Sequence, residues 1–226
     1  MPNQRPGVLC VVVGTGTEVG KTWVSAWVLS ALQSQGVRVG ARKLAQSHDV
    51  DEDPTETDAA ILAFASGENP EDVCPASLTY PVPMAPPMAA EAMGANVPTL
   101  DDLLSFQPWG EDAMIGLVET AGGLRSPQAA DADALDVIVA LDPELVILVG
   151  DAGLGTISTV RLCHDAIVNA APEVSVVVVL NRFDAQRELH ERNRSWLRSV
   201  DGFEVVSAPE ELNDLVTKVR ALSPAE

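Results

Sequence analysis

The chain has few basic residues for its size. Its 226 residues include 14 lysines and arginines against 33 aspartates and glutamates, which gives a formal net charge of −19 at pH 7. A field of that sign repels phosphate backbones and anionic lipid surfaces. The composition therefore argues against nucleic-acid and membrane partners.

Cysteine and histidine are also scarce, with three residues of each type. No two cysteines stand at a metal-ligand or redox spacing, and an odd number suits a reducing compartment better than a disulfide framework. The histidines are isolated from one another along the chain. The sequence therefore offers no Ser/His or Cys/His arrangement for nucleophilic catalysis.

A long apolar run is missing from the N-terminus. The polar start "MPNQRPG" precedes an apolar run of only six residues, 8–13. Such a run is too short for a signal-peptide core with its cleavage site or for a membrane span, so a cytoplasmic protein is predicted. With 46% hydrophobic residues, residues 1–226 are expected to form a single compact domain.

Apolar runs rich in valine and isoleucine recur along the chain, as is typical of strands covered on both faces. They are 8–13, 37–41, 114–119, 145–150, 174–180 and 203–206. Helical periodicity separates them at 22–35, 57–66, 86–93, 99–105, 133–140, 156–170, 186–199 and 208–222. The alternation predicts an α/β fold of three layers, with a mostly parallel twisted sheet flanked by helices.

The plain alternation is interrupted between residues 44 and 113. This segment contains an acidic stretch, 48–58, and a proline-rich stretch, 80–92. Because long loops at the carboxyl ends of parallel strands usually form ligand sites, both stretches are predicted to be ordered walls of a site. The acidic residues 49–53 are interpreted as a solvated loop face and are not assigned to a metal.

The strongest motif is "GTGTEVGKT", 14–22, which fits the phosphate-loop pattern G-x-x-x-x-G-K-[ST] between a strand and a helix. Backbone N–H groups of such a loop and the positive end of the helix dipole bind polyphosphate. Lys21 is expected to reach the β and γ phosphates and Thr22 to contact Mg²⁺. The predicted nucleotide-binding residues of the loop are Gly16, Thr17, Glu18, Val19, Gly20, Lys21 and Thr22.

Two carboxylates are placed to complete a Mg²⁺ site with Thr22. Glu119 ends the strand "MIGLVE", and Asp58 closes the acidic stretch. Aspartate also favours the first turn of a helix, so a capping role for Asp58 stays open beside the metal role.

Several segments together resemble dethiobiotin synthetase, an ATP-dependent ligase family of biotin synthesis. The segments are "GTGTEVGKT" (14–22), "ARKLAQS" (41–47), "TETDA" (55–59), "VETAGGL" (118–124), "VGDAGLGTIS" (149–158) and "LNRF" (180–183). Their order and approximate spacing match the family over nearly the whole chain. The resemblance implies a P-loop fold, ATP and Mg²⁺ as cofactors and a homodimer.

The family reaction implies the roles of the central residues. CO₂ and an amine of 7,8-diaminopelargonate give a carbamate, which attacks the γ-phosphate of ATP, and the mixed anhydride closes to a cyclic urea. The resemblance makes Lys43, Lys21 and Thr17 the catalytic residues, because the charge at the γ-phosphate needs cations. Lys43 also belongs, with Ser47 and Gly122, to the substrate-binding residues, and "AGGL", 121–124, is read as a glycine-rich turn.

The resemblance implies two further contact regions. Asn181 takes the place of the residue that reads the nucleotide base, and the loop with Pro209 and Glu210 lies on the other side of that base. A helix start contributed by the neighbouring subunit would bind the substrate carboxylate through Gly155, Thr156, Ile157 and Ser158.

Some residues depart from the family pattern, mainly on the substrate side; they are Leu44, His48, Thr120, Ser158 and Thr159. Two other readings therefore stay open. One is a related ATP-dependent amidoligase with a different amine or carboxylate substrate. The other is an ATPase switch of the partition and cell-division type, which shares the strand-loop-helix core.

Overall fold

A computed structural model describes residues 5–105, 109 and 113–223, so the chain's first four residues lie outside it. In this part of the chain six parallel strands form one sheet in the order β2-β5-β1-β6-β7-β8. The strands are β1 (Val8–Gly14), β2 (Val39–Lys43), β5 (Ile115–Gly123), β6 (Leu145–Asp151), β7 (Ser175–Asn181) and β8 (Val205–Ser207). The predicted α/β class with a parallel sheet is confirmed.

Helices flank this sheet, and those described fall on the predicted periodic segments except for a short one, Pro70–Val73, which was not predicted. They are α1 (Lys21–Ser34), α2 (Asp58–Ser66), α3 (Pro70–Val73), α4 (Pro86–Ala92), α5 (Leu100–Ser105), α6 (Ala134–Leu141), α7 (Thr156–Ala170), α8 (Glu188–Ser199) and α9 (Leu212–Ala221). Within the described residues, none of them has the length and apolarity that a membrane span needs.

The core is the sheet itself. Every residue of β1 is buried, and so are the first six residues of β6. Such runs need helices on both faces, because a strand covered on both faces buries consecutive side chains rather than alternate ones. Because the strands are parallel, the carboxyl ends of β1, β2, β5 and β7 lie along one edge of the sheet, where the loops of the site begin.

The described part of the segment between β2 and β5 carries a second, smaller sheet. Strands β3 (Gln46–Ser47) and β4 (Thr79–Tyr80) pair in parallel, and a 3-10 turn spans Ala76–Leu78. Strands of two residues have no periodicity, so the sequence does not predict them. The acidic and proline-rich stretches are thereby brought beside each other.

The sequence predicts a glycine-rich turn at 121–124, and the predicted position is wrong. Strand β5 continues through Gly123, and its register against β1 shifts between Val12 and Gly14. The irregularity includes Gly122, whose φ of 65° is rare for residues that have a side chain. The turn itself begins at residue 124.

Candidate active site

The phosphate loop joins β1 to α1 as the motif predicts. The helix begins at Lys21, and Gly20 before it has a φ of 90°. Glu18 also has a positive φ, 57°, in a region that residues other than glycine seldom occupy. The Lys21 Nζ lies 3.4 Å from the carbonyl oxygen of Gly16, so the side chain curls back over the loop.

The loop packs closely against the end of β5. A Cβ atom added to Gly14 would lie 2.6 Å from the carbonyl oxygen of Gly16, and one added to Gly123 would lie 3.2 Å from the Gly16 Cα. Both positions therefore leave little or no room for a side chain. This contact holds the phosphate loop beside Gly122, which the resemblance assigns to the substrate.

Three oxygen-bearing side chains converge where α1, α2 and β5 meet. The Thr22 hydroxyl lies 2.6 Å from Asp58 Oδ1 and 2.9 Å from Glu119 Oε1. Asp58 is the first residue of α2 and Thr57 is its N-cap, so Asp58 has a first-turn position and a site contact at once. Ser25, one turn beyond Thr22, donates to Glu119 Oε2 at 2.7 Å.

Lys43 joins the same cluster from the end of β2. Its Nζ lies 2.6 Å from Asp58 Oδ2 and 2.8 Å from Glu119 Oε1, and its side chain is 2% exposed. The preceding residue, Arg42, pairs instead with Glu68 at 2.7 Å. The two cations point to opposite faces of the strand, as β geometry requires, and Lys43 is the one that faces the site.

The charges of this cluster shift one another's pKa. Burial alone would raise the pKa of Asp58, but the charge and hydrogen bond of Lys43, with the Thr22 hydrogen bond, lower it to about 2. Burial opposes the charged form of Lys43, yet Asp58 and Glu119 hold its pKa above the ordinary value. Burial and the neighbouring Lys43 lower the pKa of Lys21.

The donor set fits a magnesium ion. Mg²⁺ takes one or two carboxylates and hydroxyl or water oxygens together with substrate phosphates, rather than a cage of many side chains. Within the described residues there is no group of three or more histidine, cysteine or acidic side chains placed to hold a metal. Thr22, Asp58 and Glu119 offer the smaller set that a nucleotide-bound metal needs.

A cleft of about 980 Å³ opens beside the phosphate loop. Thr17 and Glu18 line it from the loop, and Ala121 and Gly122 line it from the end of β5. Its opposite wall is formed by Ser47 and by residues of the acidic and proline-rich stretches. The wall residues of the two stretches are His48, Asp49, Val50, Asp51, Glu52, Pro83, Met84, Ala85 and Pro86. Both stretches are therefore walls of one cleft, as the loop positions predicted.

Ser47, directly before the acidic stretch, is hydrogen-bonded to the proline-rich stretch. Its hydroxyl donates to the carbonyl oxygen of Met84 at 2.5 Å. On the β5 side the buried amide of Gln128, which sequence reasoning did not single out, shapes the wall. Its side chain accepts from Ala121 N at 2.9 Å and donates to the Ala121 carbonyl oxygen at 2.8 Å.

The end of β7 supports the phosphate loop from behind. Asn181 Nδ2 donates to the carbonyl oxygen of Val19 at 2.9 Å, and Arg182 donates to that of Glu18 at 2.8 Å. Arg182 was not predicted, since nothing in "LNRF" distinguishes its side chain from a solvent-exposed one. Asn181 thus contacts the loop directly.

The loop with Pro209 and Glu210 lies beside the end of β7. The backbone N of Ala208 donates to the Leu180 carbonyl oxygen at 2.9 Å, and Phe183 N donates to the Ala208 carbonyl oxygen at 3.0 Å. The segment before Pro209 is therefore bonded to the end of β7 next to Asn181, and the contact of both with the nucleotide base stays a prediction.

The start of α7 does not line the cleft within the described chain. Gly155, with a φ of 91°, precedes the helix, and Thr156 is its first residue. Neither these residues nor Ile157 and Ser158 are among the residues that line the cleft. Their predicted contact with the substrate carboxylate stays a prediction.

Comparison with known proteins places the chain among nucleotide-binding P-loop proteins. A family model described as "AAA domain" matches residues 10–219. A plasmid partition protein from Borrelia burgdorferi has a related structure with a TM-score of 0.54 and 16% sequence identity, over 97% of this chain and 96% of that one. At that identity the likeness concerns the fold alone.

Sequence relatives narrow the family. The chain is 36% identical over 180 residues to the ATP-dependent dethiobiotin synthetase BioD of Caulobacter vibrioides, covering 77% of this chain and 80% of the relative. It is 32% identical to the protein of that name from Xanthomonas axonopodis pv. citri, over 83% of this chain and 84% of the relative. With its AAA-type P-loop domain, the chain belongs to the ATP-dependent dethiobiotin synthetase family.

Proposed function

We propose that the protein is a Mg·ATP-dependent cyclo-ligase that makes dethiobiotin from 7,8-diaminopelargonate, CO₂ and ATP. The observation that carries the proposal is the cluster in which Lys43 meets Asp58 and Glu119, beside the phosphate loop and at the edge of a cleft. A reaction whose nucleophile comes from the substrate needs no nucleophilic side chain. It needs cations at the transferring phosphoryl group and a cleft that positions the substrate.

The chain's residues divide this work. Backbone N–H groups of 16–22 hold the phosphates, Lys21 contacts the β and γ phosphates, and Lys43 neutralises charge between the γ-phosphate and the carbamate. Thr17 lies in the loop where it faces the cleft and orients the reacting groups. Thr22, Asp58 and Glu119 hold Mg²⁺, which when bound neutralises the charge that develops on the phosphate oxygens.

The two remaining contact regions follow from the resemblance. Asn181 and the loop of Pro209 and Glu210 bind the adenine base from two sides. The start of α7 binds the substrate carboxylate in the partner subunit of a homodimer, through N–H groups of a helix N-terminus. The residues at the start of α7 are not among those that line the cleft of their own chain, which supports a contribution to the partner's site.

The proposal is tested by product formation. Purified protein is incubated with Mg·ATP and bicarbonate, and phosphate release is followed with and without 7,8-diaminopelargonate, with the cyclic urea identified by mass. We expect release that depends on the diamine and yields the urea. Nucleotide binding without an effect of the diamine would contradict the proposed substrate and favour an amidoligase acting on another amine or acid.

A further inference from the structure

His48 lies in the wall of the cleft with its imidazole held in one orientation. Its backbone N donates to the Tyr80 carbonyl oxygen at 3.0 Å, which ties the residue to the smaller sheet. Its Nδ1 lies 2.8 Å from the carbonyl oxygen of Asp49. A carbonyl oxygen only accepts, so Nδ1 carries the proton and Nε2 of the neutral ring keeps its lone pair.

The groups around His48 are acidic. Glu52 Oε2 lies 3.9 Å from its Nδ1. His48 lines both the cleft and a second cavity of about 300 Å³. The other titratable residues that line these two cavities are Glu18, Asp49, Asp51, Glu52, Glu71 and Cys74.

The proposed reaction has a proton to dispose of when it takes place in this cleft. When the lone pair of an amine attacks the carbon of CO₂, the N–C bond forms and one C=O electron pair moves to oxygen. The first product is R–NH₂⁺–COO⁻. It becomes the carbamate R–NH–COO⁻ only when a base removes one proton from nitrogen.

The other groups of the site are less suited to that task. The pKa of Lys43 is raised by Asp58 and Glu119, so its ammonium keeps its proton. Burial raises the pKa of the Cys74 thiol to about 11. Carboxylates are weaker bases than imidazole by about two pKa units in general. Among the described residues lining the cleft, His48 is the one imidazole.

We propose that His48 is the base of carbamate formation, and this inference rests on the proposed function. Nε2 accepts the proton from R–NH₂⁺–COO⁻, leaving the carbamate and an imidazolium that Glu52 stabilises. The imidazolium then returns the proton to solvent through the open side of the cleft.

The first test compares His48→Gln with the unchanged protein and with His164→Gln, a histidine outside the site. The profile of kcat/KM for 7,8-diaminopelargonate is measured against pH. We expect His48→Gln to lower kcat/KM at pH 7 by about a hundredfold, a usual size for loss of a general base. The deficit should shrink as pH rises, while the Kd for ATP stays unchanged. An unaltered kcat/KM at pH 7 would overturn the proposal.

The second test uses His48→Gly, which leaves space for imidazole from solution. Added imidazole should restore part of the lost turnover in this variant and have no effect on His164→Gln. A loss that is equal at every pH and is not restored by imidazole would assign His48 a structural role and overturn the proposal. If the unchanged protein makes no urea, the proposed function fails; if it makes urea and both variants match it, only the role of His48 fails.

Discussion

The phosphate edge, formed by the ends of β1, β2 and β5 with the loop 14–22, and the inserted segment, 44–113, hold their functional side chains differently. At the phosphate edge Thr22 and Lys43 both donate to the buried Glu119 carboxylate. In the inserted segment Asp58 belongs to the same cluster, whereas Ser47 and His48 bond to backbone carbonyl oxygens. Mutually bonded charges constrain one another, whereas a side chain bonded to a peptide group can be exchanged alone.

This difference bears on two departures from the family pattern, at residues 44 and 48. Removing one member of a buried ion cluster leaves the others unpaired, which costs about 3–5 kcal/mol. A change at residue 44 or 48 disturbs no charged partner of that kind. Thr120, which also departs from the family pattern, is buried in β5, where its hydroxyl donates to the Val12 carbonyl oxygen at 3.3 Å and not to a charged group.

Lys21→Ala is expected to have the largest effect, a loss of ATP binding at the phosphate edge. Because Lys21 is buried against the loop and each charge-assisted hydrogen bond contributes about 1.5–3 kcal/mol, we expect ATP to bind at least about a hundredfold more weakly. Calorimetric titration with Mg·ATP measures the Kd. Lys218→Ala, which removes an exposed lysine paired with Glu204, is the control, and an equal loss in both variants would contradict the assigned role.

Lys43→Ala should suppress turnover while ATP binding stays measurable. Asp58 and Glu119 lose their shared cation, and the transferring phosphoryl group loses a positive charge, so kcat should fall about 10²–10³-fold. Diamine-dependent phosphate release and nucleotide titration are compared on the same sample. If Lys43→Ala lost ATP binding as fully as Lys21→Ala, the division of labour between the two lysines would be wrong.

The sequence predicts the phosphate edge better than the inserted segment for a physical reason. Continuous valine runs identify strands covered on both faces, and alternation along β2 predicts that Lys43 and Arg42 face opposite ways. The contact of Ser25 with Glu119, 94 positions apart, leaves no local signal. The pairing of 46–47 with 79–80 is equally invisible, because two residues carry no period.

Backbone irregularities form the other group that the sequence does not reveal. The bulged end of β5 and the positive φ of Arg182, 55°, place side chains at the phosphate loop without a characteristic residue pattern. Sequence reasoning therefore identifies the edge at which the site lies and its charged residues. The second layer of contacts, such as Gln128 on Ala121 and Arg182 on Glu18, follows only from the fold.

Ser47→Ala should give the smallest effect, and it tests the inserted segment rather than the phosphate edge. It removes the hydrogen bond to the Met84 carbonyl oxygen that joins the two walls of the cleft. A net hydrogen bond contributes about 1 kcal/mol, so we expect KM for the diamine to rise about fivefold with the Kd for ATP unchanged. The matched control is Ser34→Ala, which removes a seryl hydroxyl bonded to the Ala31 carbonyl oxygen on an exposed helix end. A rise in the Kd for ATP in Ser47→Ala alone would mean that the wall supports the phosphate loop as well, and that the two regions are less independent than their contacts indicate.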